Sequence, residues 1–155
     1  MCIRDRIGKG ISGLFARPAV SSADKDWIGQ VMASTGECLW FDAEEKLDAV
    51  TALSGSGPAY VFYFMEAMTT AGTEMGLTRE QAHQLTVATF VGASELARGA
   101  SEPPKVLRQR VTSKGGTTFA AISSMEDSDL QAEFINAIYA ARQRAQELGD
   151  ELGGK

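Results

Sequence analysis

Residues 57–68, GPAYVFYFMEAM, decide how the rest of this chain must fold. Proline is favoured at the first position of a helix, so Gly57-Pro58 predicts a helix start, and Gly76 predicts its end. The first half of this helix is apolar on nearly every face. A helix that is apolar all round must be covered on all sides. In a domain this small, we expect a second copy of the chain to supply the cover, which predicts a homodimer.

On both sides of this segment the pattern stays helical from residue 43 to the end. Thr78 and Gln81 have the spacing of a capping box, in which two side chains satisfy the free N–H groups of a helix start. Ser128 and Gln131 have the same spacing, and a long apolar stripe follows them. The helices predicted from periodicity and caps span residues 44–54, 58–75, 78–98, 103–111, 117–125 and 128–148. The fold class is therefore mainly α.

Before residue 43 the pattern changes to strand, helix, strand. The predicted elements span residues 11–16, 22–35 and 37–41, and Gly36 is the expected stop of the helix. Such a unit cannot form a stable sheet alone. We expect residues 1–42 to be the edge of a larger α/β domain, with residues 1–6 an atypical leader. Gly8 to Gly13 match the letters of a dinucleotide fingerprint, but the run after them looks extended rather than helical.

Composition excludes several functional classes. The formal net charge of −5 argues against a nucleic-acid partner, because phosphate binding needs a basic face. Cys2 and Cys38 lack paired or metal-like spacing, so we expect no disulfide and no metal site, and a reducing cytoplasm fits best. The longest apolar stretch, residues 58–68, is too short for a membrane span and contains Glu66.

A second informative stretch is VTSKGGTT at residues 111–118, just ahead of an apolar run. Its glycines let the backbone turn sharply, and a helix start after them would aim free N–H groups at a small anion. A carboxylate fits such a turn as well as a phosphate does. An equally good interpretation is a hydroxyl-rich turn that only caps a helix. The basic residues nearby either steer an anionic ligand or form a solvated face; they are Lys105, Arg108, Arg110 and Lys114.

This stretch and a second block, DAVTALSGSGPAY at residues 48–60, occur in order. Together they resemble the C-terminal half of pyrroline-5-carboxylate reductase, the enzyme that makes proline, over residues 7–149. The resemblance implies a helical dimerisation and substrate-binding domain at residues 43–155. It implies that residues 1–42 are the tail of a Rossmann-type NAD(P)-binding domain. It also implies a homodimer, and rings of dimers occur in the family.

The reaction implied is hydride transfer from NADPH or NADH to the imine carbon of 1-pyrroline-5-carboxylate, which gives L-proline. In the family the Gly-Gly-Thr turn holds the substrate carboxylate. The residues that match it are Ser113, Gly115, Gly116, Thr117 and Thr118. Thr118 stands where family members place a hydroxyl near the ring nitrogen, which makes it the catalytic candidate, as an orienting and relay group. Glu44 is a weaker substrate-binding candidate.

This chain departs from the family pattern in ways that leave alternatives open. Lys114 stands where proline is common, and its effect on the turn is open. Most of the cofactor domain is missing, so no cofactor-binding residue is assigned and we expect this stretch alone to be inactive. One alternative is a non-catalytic helical dimerisation module. Another is a related NAD(P)-dependent reductase acting on a different cyclic imine or a hydroxyacid.

Overall fold

The computed structural model describes residues 3–153, so the predictions made for Met1 and Cys2 lie outside the described residues. The chain forms two compact units. The first comprises the residues up to Pro58 together with those from Asn136 onward, and the second comprises residues 59–135. The strands are β1 (Gly10–Phe15) and β2 (Gly36–Phe41), and the α-helices are α1 (Ser22–Met32), α2 (Lys46–Val50), α3 (Gly57–Glu74), α4 (Arg79–Gly99), α5 (Pro104–Arg110), α6 (Thr117–Asp127) and α7 (Leu130–Gly153). The mainly α prediction is confirmed.

The first unit contains the predicted strand–helix–strand. β1 and β2 pair in parallel from Gly10 opposite Gly36 to Phe15 opposite Phe41, with α1 as the crossover that parallel pairing requires. Ser21 caps α1, because its hydroxyl accepts a hydrogen bond from the Asp24 N–H at 3.2 Å. The segment with fingerprint letters runs into β1 and not into a helix, as its extended pattern predicted.

The predicted end of α1 was wrong. The helix stops at Met32, three residues early, and Gly36 is the first residue of β2 with φ 147° rather than a helix stop. The hydroxyls of Ser34 and Thr35 donate to the carbonyls of Val31 and Met32, at 2.8 and 2.9 Å. Hydroxyls that bond to nearby backbone compete with helix propagation, which explains the early end.

The helix predicted over residues 44–54 is divided. α2 continues into a π-helical turn, Thr51–Gly55, in which the Ser56 N–H donates to the Thr51 carbonyl at 2.9 Å. The residues before β1 also fold: Ile3–Ile7 form a 3₁₀-helix, and the Arg4 guanidinium donates to the carbonyl and hydroxyl oxygens of Ser54 at 2.8 and 2.6 Å. Ser54 lies in this π-helical turn.

In the second unit, α3 ends as predicted near Gly76, which has φ 98°. The capping box of α4 is confirmed: the Thr78 N–H donates to the Gln81 amide oxygen at 3.0 Å, and the Gln81 N–H donates to the Thr78 hydroxyl at 3.2 Å. The two helices pack closely where Gly72 faces Ala82. A Cβ at Gly72 would lie 2.9 Å from the Ala82 Cβ.

The second predicted capping box was wrong. The Ser128 hydroxyl donates to the Met125 carbonyl at 3.1 Å, and Ser128 closes α6 instead of opening α7. Asp129 then takes φ 53°, in the left-handed region, before α7 begins at Leu130. A residue in this region is a common way to end a helix. A serine at a helix junction can serve either helix, and here it serves the earlier one.

Few side chains are buried. Among the described residues, the buried ones are Ala52, Ala82 and Thr86 and the two glycines Gly10 and Gly72. The aromatic ring of Phe64 packs edge-on against Phe134, with ring centres 5.4 Å apart. On other faces of α3, however, Phe62 is 50% and Tyr63 is 70% exposed. The cover that this helix is predicted to need is therefore not supplied within the described part of the chain.

No helix among the described residues is both long enough and apolar enough to cross a membrane.

Candidate functional site

A tight turn joins α5 to α6. The Gly116 N–H donates to the Ser113 carbonyl at 3.0 Å, and Gly115 has φ 76°. A positive φ at the third residue is the mark of a type II turn, which requires glycine there. Proline is common at the second residue of such turns, and here that residue is Lys114. The Gly-Gly pair thus reverses the chain directly in front of a helix.

Gly116 is the N-cap of α6, in extended conformation, and no side chain caps this helix end. The first hydrogen bond along the helix is the one from the Ala120 N–H to the Gly116 carbonyl, at 3.1 Å. The N–H groups of the residues between them have no partner inside the helix. The hydroxyls of the turn therefore do not serve as a cap, and the first turn of α6 offers unpaired donors and the positive end of a helix dipole.

Gly116 is also needed because the backbone at this residue lies very close to Ser113. A Cβ added there would lie 2.7 Å from the Ser113 hydroxyl oxygen and 3.2 Å from the Ser113 carbonyl oxygen. Because glycine has no such methyl group, the space beside the Ser113 hydroxyl, directly before the first turn of α6, stays free. Ser113 and Thr117 are exposed, and Thr118 is half-buried in the first turn of α6. The structure thus brings together the predicted residues from Ser113 to Thr118.

The charges around the turn differ from the simple basic cluster seen in the sequence. Arg108 Nη1 forms an ion pair with Glu126 Oε1 at 2.8 Å, and Arg110 pairs with Glu102. Each of these arginines is thereby paired with a carboxylate. Within residues 3–153, no carboxylate lies within ion-pair distance of Lys114, which is exposed at the tip of the turn. Of the four basic residues, Lys105 and Lys114 form no ion pair within residues 3–153, and Lys114 lies in the turn itself, beside the positive end of the helix dipole.

Glu44, the weaker candidate, is exposed and lies just before Glu45, the N-cap of α2. Its carbonyl accepts a hydrogen bond from the Leu47 N–H at 2.9 Å. Glu44 belongs to the first compact unit, whereas the turn belongs to the second. An acidic residue at this place complements the dipole of the helix that follows.

Two interactions at the turn were missed in the sequence. The backbone carbonyl of Arg108 accepts a hydrogen bond from the Thr112 hydroxyl at 2.7 Å. The guanidinium of the same residue pairs with Glu126. The bond from Thr112 spans four residues and could have been expected from the end of a helix. Glu126 is 18 residues from Arg108, and no pattern in a single sequence links them. Among the described residues, no three His, Cys, Asp or Glu side chains gather as metal ligands.

Comparison with known proteins gives consistent matches. The family model for pyrroline-5-carboxylate reductase dimerisation matches residues 44–148. Pyrroline-5-carboxylate reductase of Pseudomonas aeruginosa is 48% identical over 145 residues, which are 94% of this chain and 53% of that protein. The enzyme of the same name from Arabidopsis thaliana is 37% identical over 92% of this chain and 51% of its own length. The chain thus spans about half the length of the curated relatives it matches.

Comparison with solved structures points to the same family. A pyrroline-5-carboxylate reductase from Coxiella burnetii superposes with a TM-score of 0.90 at 40% identity, over 95% of this chain and 54% of that one. Pyrroline carboxylate reductase of Plasmodium falciparum, solved with NADP bound, gives a TM-score of 0.87 at 30% identity, over 96% and 60%. From the turn, the fold and the match over residues 44–148, the chain belongs to the pyrroline-5-carboxylate reductase dimerisation family.

Proposed function

We propose that this chain is the dimerisation and substrate-binding part of an enzyme that reduces 1-pyrroline-5-carboxylate to L-proline. The observation that carries the proposal is the Ser113–Gly116 turn, which leaves the first N–H groups of α6 without a side-chain cap. In this proposal residues 43–155 form the helical domain, and residues 1–42 form the tail of an NAD(P)-binding domain. The parallel β1–α1–β2 unit is the kind of structure that such a domain contains.

The substrate has two polar groups, a carboxylate and a ring nitrogen. Unpaired N–H groups at a helix start bind a carboxylate well, because donors and dipole act in the same direction. We assign the carboxylate to the turn of Gly115, Gly116 and Thr117, where the Thr117 N–H is unpaired while the Gly116 N–H is bonded to the Ser113 carbonyl, with the Ser113 hydroxyl as a further donor. Thr118 is one residue deeper into α6, and we assign its hydroxyl to the ring nitrogen.

Thr118 acts by orientation. A threonine hydroxyl is a poor general acid near neutral pH, so it donates a hydrogen bond to the ring nitrogen and relays to it a proton that comes from water, while the hydride goes to the imine carbon. Holding the imine in one orientation raises the rate by converting an encounter into a prearranged contact. Glu44 is a secondary assignment, because it rests on the family resemblance alone.

A nicotinamide cofactor would supply the hydride. NAD(P)H is implied by the family, and the Plasmodium falciparum neighbour was solved with NADP. The described residues do not form a cradle for a dinucleotide, because Gly10 and Gly13 lie in β1 and not in a turn before a helix. We therefore assign no residue of this chain to the cofactor.

The proposed partner is a second copy of the chain, in agreement with a dimerisation family and with the exposed aromatic faces of α3. The proposed location is the cytoplasm, because Cys38 is a free thiol and the two cysteines have no paired spacing.

The test is a chimera that joins this chain to the part of the Pseudomonas aeruginosa reductase that it does not match. We expect NAD(P)H oxidation with 1-pyrroline-5-carboxylate. A folded dimer with no activity on any imine supports the non-catalytic module. Activity only on other cyclic imines or hydroxyacids supports the related reductase.

The assignment of Thr118 is tested in the same chimera. Thr118→Val keeps the shape of the side chain and removes the hydroxyl, so we expect kcat to fall by roughly tenfold or more. Thr118→Ser keeps the hydroxyl and is the matched control, with kcat close to the parent. Equal rates in Thr118→Val and the parent would remove Thr118 from the mechanism.

A further inference from the structure

We propose that Arg108 and Glu126 are positioning residues, which hold α5 and α6 in the arrangement that shapes the turn between them. We call this ion pair the clasp. The claim that the turn binds the substrate rests on the proposed function. The claim that the clasp orders the turn does not depend on the proposed function, so the two claims can be tested separately.

Arg108 contacts the turn and the following helix at the same time. Its backbone carbonyl accepts hydrogen bonds from the Val111 N–H at 3.2 Å and the Thr112 hydroxyl at 2.7 Å, so it fixes the start of the turn. Its guanidinium donates to Glu126, in the last turn of α6, at 2.8 Å. One residue therefore links the beginning of the turn to the helix that follows it.

α5 needs such an anchor because it is short. It has seven residues, and isolated helices of this length are marginal in water. Packing between α5 and α6 is sparse, and an open cavity of about 740 Å³ is lined by both helices together with side chains of α3 and α7. Phe64, Ile122 and Phe134 line this cavity, and Arg108 and Glu126 lie along it. The clasp thus joins two helices that share little packed surface.

The expected effect is local. The side chains of Arg108 and Glu126 are 43% and 59% exposed, and ion pairs at this exposure add little to global stability. Breaking the clasp should therefore leave the unfolding transition nearly unchanged. What changes is the order of the turn, and with it the positions of the N–H groups at the start of α6.

The first experiment measures amide hydrogen exchange in the chain itself, without any ligand. In Glu126→Gln we expect the Val111, Thr112 and Gly116 N–H groups to exchange roughly two- to fivefold faster; they donate to the carbonyls of Arg108, Gln109 and Ser113, at the end of α5 and in the turn. The matched control is Glu151→Gln, which breaks an ion pair with Arg144 that is also 2.8 Å long and similarly exposed. In the control, exchange at the turn should not change.

The second experiment exchanges the two charges. Arg108→Glu and Glu126→Arg should each accelerate exchange at the turn, and the double variant should return it toward the parent rate. Recovery in the double variant shows that the pair, and not either side chain alone, orders the turn. Unchanged exchange in Glu126→Gln, or no recovery in the double variant, overturns the proposal.

The third experiment connects the clasp to the substrate. In the chimera, Glu126→Gln should raise KM for 1-pyrroline-5-carboxylate by roughly two- to fivefold and leave kcat within about twofold. A fall in kcat at constant KM would contradict a positioning role. If the chimera proves inactive, the proposed function fails, while the exchange experiments still decide whether the clasp orders the turn.

Discussion

Gly115 and Gly116 are required for different physical reasons. Gly115 takes φ 76°, a conformation that costs an L-residue about 1–2 kcal/mol, so Gly115→Ala should destabilise the turn itself. Gly116 has an ordinary φ of −82°, which alanine also adopts. A methyl group at residue 116 would meet the Ser113 hydroxyl at 2.7 Å and, less closely, the Ser113 carbonyl oxygen at 3.2 Å, which would have to shift slightly. The first glycine is needed for backbone shape and the second for space.

We therefore expect Gly116→Ala to weaken ligand binding more than it lowers stability. The exposed Ser113 side chain can rotate away from the new methyl group, so the chain still folds, but the hydroxyl leaves the binding space. Losing one hydrogen bond to a charged ligand corresponds to roughly tenfold or more in affinity. The measurement is an NMR titration of the chain with L-proline.

Gly99→Ala is the control for this titration, because nothing lies within 4 Å of a Cβ at that position. Its affinity for L-proline should equal that of the parent chain. Parent-like affinity in Gly116→Ala would mean that the carboxylate does not bind at this turn.

At the scale of elements, a glycine allows α3 and α4 to approach each other closely. A Cβ at Gly72 would lie 2.9 Å from the Ala82 Cβ, which is attached directly to backbone and cannot rotate away. Gly72→Ala should destabilise the chain by about 1–3 kcal/mol through overpacking, despite the better helix propensity of alanine. The measurement is the free energy of unfolding in urea.

Gly92, in the interior of α4, is the matched control, since no atom lies within 4 Å of a Cβ there. Gly92→Ala should stabilise the chain by about 0.5–1 kcal/mol, because only the backbone entropy changes. If both variants are stabilised alike, the two helices are not packed as closely as the structure has them.

A carboxyl group at the start of α4 should make the stability of the chain depend on pH in the acid range. Hydrogen bonds from its own backbone N–H and from the Thr78 hydroxyl hold the pKa of Glu80 below its ordinary value of 4.5. A carboxyl with a lowered pKa in the folded state stabilises the fold above its unfolded pKa, and the effect is lost as the pH falls through the folded value. We expect the free energy of unfolding to fall as the pH drops below 4.5.

Glu80→Gln removes this contribution, so its stability should depend less on pH in the same range. Glu95→Gln, in the same helix but away from its start, is the control. Urea denaturation at neutral pH and at several values below 4.5 compares the three proteins. A slope in Glu80→Gln as steep as in the parent would exclude a role for Glu80 in the pH dependence.

The elements that could be predicted from sequence are those whose signal is local. The capping box at Thr78 and the stop at Gly76 were placed correctly, because a few neighbouring side chains decide them. The box predicted at Ser128 failed because a serine between two helices can bond to either, and only the packed structure selects one. The clasp had no local signal at all. The turn could be predicted because glycine is the residue that positive φ demands.

At the scale of the molecule, several helices carry exposed large apolar side chains. On α3 they include Phe62 and Tyr63, which are 50% and 70% exposed, and on α4 they include Leu85 and Leu96. A large exposed apolar surface marks an interaction site.

We expect light scattering after size exclusion to give twice the mass of the chain. Higher even multiples would indicate rings of dimers. Phe62→Glu places a charge on the exposed face of α3 and should give monomer or unfolded chain. Leu152→Glu is the control, because Leu152 is 80% exposed and lies outside the residues that match the dimerisation family. A monomer at micromolar concentration in the parent chain would contradict the dimer.

The contact between Gly72 and Ala82 restricts which substitutions this sequence can accept during evolution. The space between α3 and α4 holds a single methyl group at this point, and it is carried by Ala82, one of the few buried residues of the described chain. Neither Gly72 nor Ala82 can be replaced alone by a larger residue. The methyl group can, however, be carried by residue 72 instead of residue 82. Gly72→Ala combined with Ala82→Gly would fill the same volume and give each helix the propensity that the other loses. Related sequences should therefore pass from one arrangement to the other by paired changes, with either single change appearing only as a short-lived intermediate.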